Sequence, residues 1–155
     1  MPDDAQLLTD IRLELLDHDL RPVYTAATDR RRVVAGAGTR AEVDLELVSG
    51  SDNLAQAIVM RLLTPKGELA ALGHADYGSR LHELIGTPNT PTRRSLLKLF
   101  ILDSLAAEPR VAKVENVSIV PAPGRRDAVD VTLTVTPVGP APSVVIGPFT
   151  LELTS

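Results

Sequence analysis

Hydrophobic and polar positions alternate most cleanly over residues 129–136. Val129, Val131, Leu133 and Val135 are separated there by Asp130, Thr132, Thr134 and Thr136. A period of two puts one set of side chains on a buried face and predicts a strand. Val43, Leu45 and Leu47, alternating with Asp44, Glu46 and Val48, predict a half-buried strand in the same way. Strands are also expected at 111–120 and at 144–153, the latter with Phe149, Leu151 and Leu153 on one face. Pro148 lies inside that last strand and has no N–H for a ladder, so it demands an edge position or a bulge. Residues 10–16 alternate as well, with Ile11, Leu13 and Leu15 on one face, although Leu7 and Leu8 upstream leave a helix open. Asp17-His18-Asp19 then reads as a turn and residues 21–26 as a returning strand. Residues 28–39, with Arg30, Arg31, Arg32 and Gly36-Ala37-Gly38, read as an exposed loop.

The helical signals lie between these β regions. Residues 54–63 are apolar nearly all round, broken by Gln56 and Arg61. Such a helix belongs inside a domain. Asp52 or Asn53 is expected to cap it by accepting from its first free N–H groups, and Pro65 with Gly67 ends it in a turn. Leu81, Leu84 and Ile85 have the spacing of a short amphipathic helix closed by Gly86. Thr90 caps a longer helix with Pro91 at its first position, where a missing N–H costs nothing. Leu97, Phe100, Ile101 and Leu105 share one face of it, and Pro109 stops it. The expected fold is α+β: a small single domain with three helices packed on a mainly antiparallel sheet. Residues 1–42 form an N-terminal extension with candidate strands and an exposed loop. Residues 43–155 form the main domain.

Composition narrows the function. The chain has 155 residues and a net charge of −4, which fits one domain and argues against a dedicated nucleic-acid binder. It has no Cys, so disulfides and thiolate metal sites are excluded. Its start, MPDDAQ, has no basic n-region or apolar h-region, so no signal peptide is expected. No apolar run is long enough to insert into a membrane. With no Trp, two Phe and two Tyr, the chain offers few stacking faces for bases or sugars.

No catalytic constellation emerges. His74, Asp76, His82 and Glu83 alone have metal-ligand character, but no H-E-x-x-H pattern accompanies them. Neither a metal nor a cofactor is expected. Gly36-Ala37-Gly38 lacks the lysine and following helix of a phosphate loop. Ser79 and Ser104 lack the flanking glycines of a nucleophile elbow. A glycosidase would need two carboxylates across a sugar cleft, which the scarcity of aromatics disfavours. Arg93-Arg94 and Arg125-Arg126 read as solvated surface, or else as contacts for acidic patches on a partner.

Glu108-Pro109-Arg110 is less easily dismissed. A glutamate at a helix C-terminus opposes the macrodipole. Held by the proline, Glu108 and Arg110 could project as a rigid pair towards a complementary pair on another chain. The plain alternative is a helix stop with a local surface ion pair.

Four segments appear together and in order: residues 53–58 (NLAQAI), 61–69 (RLLTPKGEL), 77–81 (YGSRL) and 108–111 (EPRV). In this the chain resembles the baseplate wedge and sheath-initiator proteins of contractile tails, a family found in T4-like phage tails, in type VI secretion systems and in extracellular contractile injection particles. The resemblance runs from about residue 43 to 153. It implies a small α+β fold without catalysis: a structural protein that joins wedge subunits and initiates the sheath during virion or particle assembly. It implies that Glu108, Pro109 and Arg110 meet a helical core bundle of wedge proteins. It further implies that a terminal strand carrying Val144, Val145, Ile146, Phe149, Leu151 and Leu153 pairs with sheath subunits by strand addition. Tube or hub proteins are further candidate partners. The expected location is cytoplasmic during assembly and then within the baseplate of a tail-like particle. The first 40 residues receive no role from the resemblance. A second reading is an anti-adaptor-like regulatory protein with one soluble partner. A third, a lysozyme-like glycosidase, has no support in the residues.

Overall fold

The computed structural model describes residues 8–15, 24–35 and 38–153. In chain order the strands are β1 (Thr9–Ile11), β2 (Leu13–Leu15), β3 (Tyr24–Ala26), β4 (Thr28–Ala35), β5 (Gly38–Leu45) and β6 (Leu47–Ser49). Then follow α1 (Gly50–Leu63), α2 (Pro91–Ala106), β7 (Val111–Pro121), β8 (Ala128–Pro137) and β9 (Val144–Glu152). Among the described residues there are therefore two α-helices, not three, and four small antiparallel sheets rather than one. The expected middle helix is a single 3-10 turn, Leu81–Leu84. Leu81 and Leu84 are buried as its spacing suggested, but the backbone turns extended at Ile85, before a second turn can form. None of the helices among these residues is long and apolar enough to cross a membrane.

The C-terminal half holds the core. β7, β8 and β9 form an antiparallel meander with β8 in the centre. Val129, Val131, Leu133 and Val135 of β8 are all fully buried, as strict alternation demands of a sheet with one covered face. Leu54, Ile58, Leu62 and Leu63 of α1 and Leu97, Ile101 and Leu105 of α2 pack into the same cluster. Thr90 caps α2, its hydroxyl accepting from the Arg93 N–H at 3.3 Å. At α1 the N-cap position falls on Ser49, not Asp52 or Asn53, and its side chain makes no capping hydrogen bond. The helix starts as soon as β6 ends, which leaves Asp52 in the first turn, where its charge suits the dipole.

β9 lies at the edge of the meander, and its register against β8 shifts between Val131 and Leu133. Pro148 thus has both the edge and the irregularity that a proline requires. The shift is centred on Gly147, whose φ is +100° and where a Cβ would stand 2.5 Å from the Val131 carbonyl oxygen.

The N-terminal strands form three ribbons, β1–β6, β2–β3 and β4–β5. They meet at a three-way main-chain junction. Arg12 N–H donates to Glu46 O (2.8 Å), Ala27 N–H to Arg12 O (2.9 Å) and Glu46 N–H to Ala27 O (2.9 Å). This junction corrects two sequence expectations. Residues 28–39 are not a loop, because 28–35 and 38–39 belong to the β4–β5 hairpin. The 43–48 strand is broken at Glu46, and its buried residue is Val48, at 3% exposure, while Leu45 and Leu47 face outward at 44% and 63%. The break at Glu46 turns β6 onto β1 and α1, which reverses the face that simple alternation assigns. The turn expected at 17–19 lies outside the described residues. Gln56 of α1 ties the ribbons down, donating to Ile11 O at 2.9 Å and accepting from Leu13 N–H at 2.8 Å.

Between the helices, the loop is pinned by small polar residues. Ser79 N–H donates to Thr64 O (2.8 Å) and Lys66 N–H to Ser79 O (2.9 Å). The Ser79 hydroxyl donates to Leu62 O, and that of Ser104 to Gly78 O. Gly78 has φ +103°, and a Cβ there would lie 2.5 Å from Thr64 O. Gly78→Ala is expected to cost at least about 1–3 kcal/mol through strained backbone alone. Urea unfolding should show a lower midpoint at an unchanged slope.

Candidate functional site

α1 ends in an arginine and α2 is followed by a glutamate, and the fold brings the two together. Arg61, in the last turn of α1, is buried at 7% exposure and Glu108 at 4%. Arg61 Nε donates to Glu108 Oε2 at 3.2 Å, with its terminal nitrogen 3.1 Å from the same oxygen. The other carboxylate oxygen, Oε1, accepts from Arg110 Nε at 2.7 Å and from the Arg110 N–H at 3.3 Å. The Val111 N–H closes back on Glu108 O at 3.1 Å. Residues 108–111 are therefore a tight turn with Pro109 at its second position, where its fixed φ is favoured.

The arrangement answers the electrostatic problem posed by the sequence. A carboxylate beyond a helix C-terminus is disfavoured, and a buried one more so. Burial pushes the Glu108 carboxyl up, but the hydrogen bond from Arg110 and the charges of Arg110 and Arg61 outweigh it. The carboxyl is held below the ordinary glutamate range and stays ionised.

Arg61 also stacks over the Tyr77 ring, 4.5 Å from its centroid. Burial raises the Tyr77 phenol pKa and Glu108 adds to that, against Arg61 and Arg110. Arg61 and Tyr77 form a wall between two recesses. One is a groove of about 420 Å³ lined by Leu8, Thr9, Asp10 and Asn53 together with Arg61, Tyr77, Glu108, Pro109 and Arg110. The other, about 300 Å³, lies towards Gly73, His74, Asp76 and Ala107.

Glu108 thus does not project outward as the sequence suggested. Its side chain is spent inside the fold, while Arg110 keeps a side chain 20% exposed and Pro109 is exposed at the turn. Of the expected pairing strand, Val144, Ile146, Leu151 and Leu153 are buried, Phe149 is half-buried and Val145 is 64% exposed. All but Val145 turn their side chains to the core, and the main-chain edge of β9 is open. Leu153 N–H donates to Asp127 O. By the alternation of antiparallel ladders, Val145, Thr150 and Glu152 then direct their main-chain groups away from β8. Among the described residues the one further backbone bond at this end of the edge is Gly86 N–H to Leu153 O, at 2.6 Å. Arg125 pairs with Glu152, and Arg94 with Asn89. Among the described residues no three His, Asp or Glu side chains are grouped to hold a metal ion.

Arg61 and Tyr77 are the site residues that patterning did not single out. The signal was present for Arg61. One arginine in a helix that is apolar nearly all round must be buried, and a buried guanidinium needs an acid. No protein-family model and no curated protein matches this chain.

Removing the negative charge should expose this dependence. A group with a depressed folded pKa adds stability that is present above its unfolded pKa, about 4.3 for Glu. That stability is lost as pH falls through the lower folded value. Glu108→Gln leaves Arg61 buried without its counter-charge and is expected to cost about 3–5 kcal/mol near neutral pH. The gap from the parent should narrow as pH drops below about 4. Denaturant unfolding across pH checks both, and a pH-independent gap would reject the ionised triad.

Proposed function

We propose that this chain is a non-catalytic structural component of the baseplate of a contractile injection machine. In this reading it joins wedge subunits and initiates assembly of the sheath. The observation that carries the reading is a convergence. The four segments of the sequence resemblance are dispersed between residues 53 and 111, yet each contributes to one groove. Asn53 comes from the first, Arg61 from the second, Tyr77 from the third, and Glu108, Pro109 and Arg110 from the fourth. Segments that meet in space around a partly exposed arginine suit a common surface better than four unrelated matches.

In the proposed assembly Arg110 and Pro109 meet a helical bundle of wedge proteins at this groove, with Glu108 as the buried anchor that aims Arg110. The open edge of β9 receives an extended arm of a sheath subunit through main-chain bonds. The bulge at Gly147-Pro148 divides that edge, so pairing uses the stretch around Val145 or the stretch around Thr150 and Glu152, not one continuous ladder. Assembly takes place in the cytoplasm, and the protein then remains in the particle's baseplate, adjoining tube or hub proteins.

Two substitutions separate the two contacts. Tagged protein purified from its native cells should bring down sheath and large wedge subunits. Arg110→Ala should remain folded and lose the wedge subunits, because truncating one member of a desolvated charge contact costs about 2–5 kcal/mol. Val145→Pro removes an outward-pointing donor without touching the β8 ladder, and should lose sheath alone. Mass spectrometry of the recovered proteins reads the outcome. Recovery of one small regulatory partner, with no sheath or wedge subunits, would favour the anti-adaptor reading instead.

A further inference from the structure

The outer face of α2 carries a pattern that neither the core nor the groove uses. Leu97, Phe100, Ile101, Ser104 and Leu105 face the body and are buried. On the opposite side Thr92, Ser95, Leu99, Leu102 and Ala106 are all exposed, Leu99 at 59% and Leu102 at 36%. Their spacing alternates three and four residues, the seam of a two-stranded coiled coil. Leu99 and Leu102 are its apolar centre, flanked by small or polar residues that let a second helix approach.

The charges beside the seam decide what covers it. Lys98 immediately precedes Leu99, is exposed, and takes no ion pair among the described residues. Asp103 immediately follows Leu102, its side chain is 62% exposed, and its one ion pair is a loose 3.9 Å contact with Lys66. In a parallel coiled coil, the residue just before one core position faces the residue five further on in the partner. Lys98 and Asp103 have that separation, so two copies of this helix side by side in the same direction place Lys98 opposite Asp103 twice. In a symmetric antiparallel pair each would instead face its own kind.

We propose that the outer face of α2 is a self-association surface, on which two copies of this chain pack in parallel through Leu99 and Leu102 with reciprocal Lys98–Asp103 pairs. The helix body is anchored on its far side, so the second copy displaces nothing from the core. A seam of 16 residues is short, with less contact than the roughly 1,000 Å² of a stable dimer. The pairing is therefore weak and reversible in solution, and it gains where copies are already held close, as around a symmetric particle.

The chain contains no Cys, so a single introduced thiol reports the geometry. Ser95→Cys faces its own copy across a parallel seam, but in an antiparallel pair it faces Ala106, far outside disulfide reach. Ala71→Cys, exposed in the loop between the helices, measures random collision. Under mild oxidation at high protein concentration, Ser95→Cys is expected to form disulfide-linked dimer well ahead of Ala71→Cys. In sedimentation equilibrium, Lys98→Asp should weaken dimerisation roughly tenfold, since two attractive surface pairs become repulsive. The double reversal Lys98→Asp with Asp103→Lys should restore it. All these positions are exposed, and circular dichroism should show each variant folded. A Ser95→Cys protein that crosslinks no faster than the control overturns the proposal, as does a dimer indifferent to the charge reversals.

Discussion

The buried pair of Arg61 and Glu108 is the constraint on which the rest of this structure turns. It joins the last turn of α1 to the first residues beyond α2, so the two helices cannot slide past each other without stranding a charge. A pair of this kind is weak evidence for net stability, because desolvation offsets most of the attraction. What it supplies is register. Once Glu108 is fixed, the Pro109 turn sets the direction in which β7 leaves, and β7 sets the meander that closes the core. A leucine and methionine pair of similar volume could fill the space, but it would not choose one alignment over its neighbours.

With the interior fixed in this way, β9 can bury its side chains and still leave its outer main chain uncovered. In that strand the division is by direction. Side chains such as Ile146, Leu151 and Leu153 face the core, while the outer main-chain groups of the same strand stay open. The hazard of an open edge is uncontrolled pairing. Here the bulge at Gly147-Pro148 interrupts the ladder, and Glu152, paired with Arg125, sets charge along the edge. β7, the other edge, carries two register shifts against β8, which roughen it in the same way.

Much of the core was legible in the sequence because it is periodic. Val129 to Val135 read as a strand from alternation alone, α2 from its Thr90 cap and apolar face, and Pro148 forced its own edge and bulge. The errors arose where tertiary geometry overrode local pattern. Leu81, Leu84 and Ile85 have helical spacing, but the chain is already extended at Ile85, and one turn cannot sustain itself. Leu45 and Leu47 alternate correctly, yet the junction at Arg12, Ala27 and Glu46 breaks the strand and exposes them. Bonds between residues so far apart in sequence leave no periodic trace. The candidate site was legible only in part for a similar reason. Glu108-Pro109-Arg110 stood out as an anomaly at a helix end, but its resolution lay in Arg61, 47 positions earlier.

The same geometry decides which member of the tripeptide faces outward. Glu108 has both oxygens occupied and is shielded from water, so its charge is balanced inside the fold. The triad of two arginines and one glutamate keeps a net positive charge, and Arg110 is its partly exposed member. Arg110 is held by its own side chain and by its main-chain N–H on the same oxygen, so much of its rotamer freedom is lost before any partner arrives. An arginine restrained in this way binds with less ordering cost than a free surface arginine, and its planar guanidinium fits a carboxylate in two parallel bonds. The groove beside it already holds Asp10. An acidic group approaching Arg110 from that side would meet a like charge, and one approaching over Pro109 would not. The exposed proline therefore marks the open side of Arg110, and an approach there would leave the buried pair undisturbed.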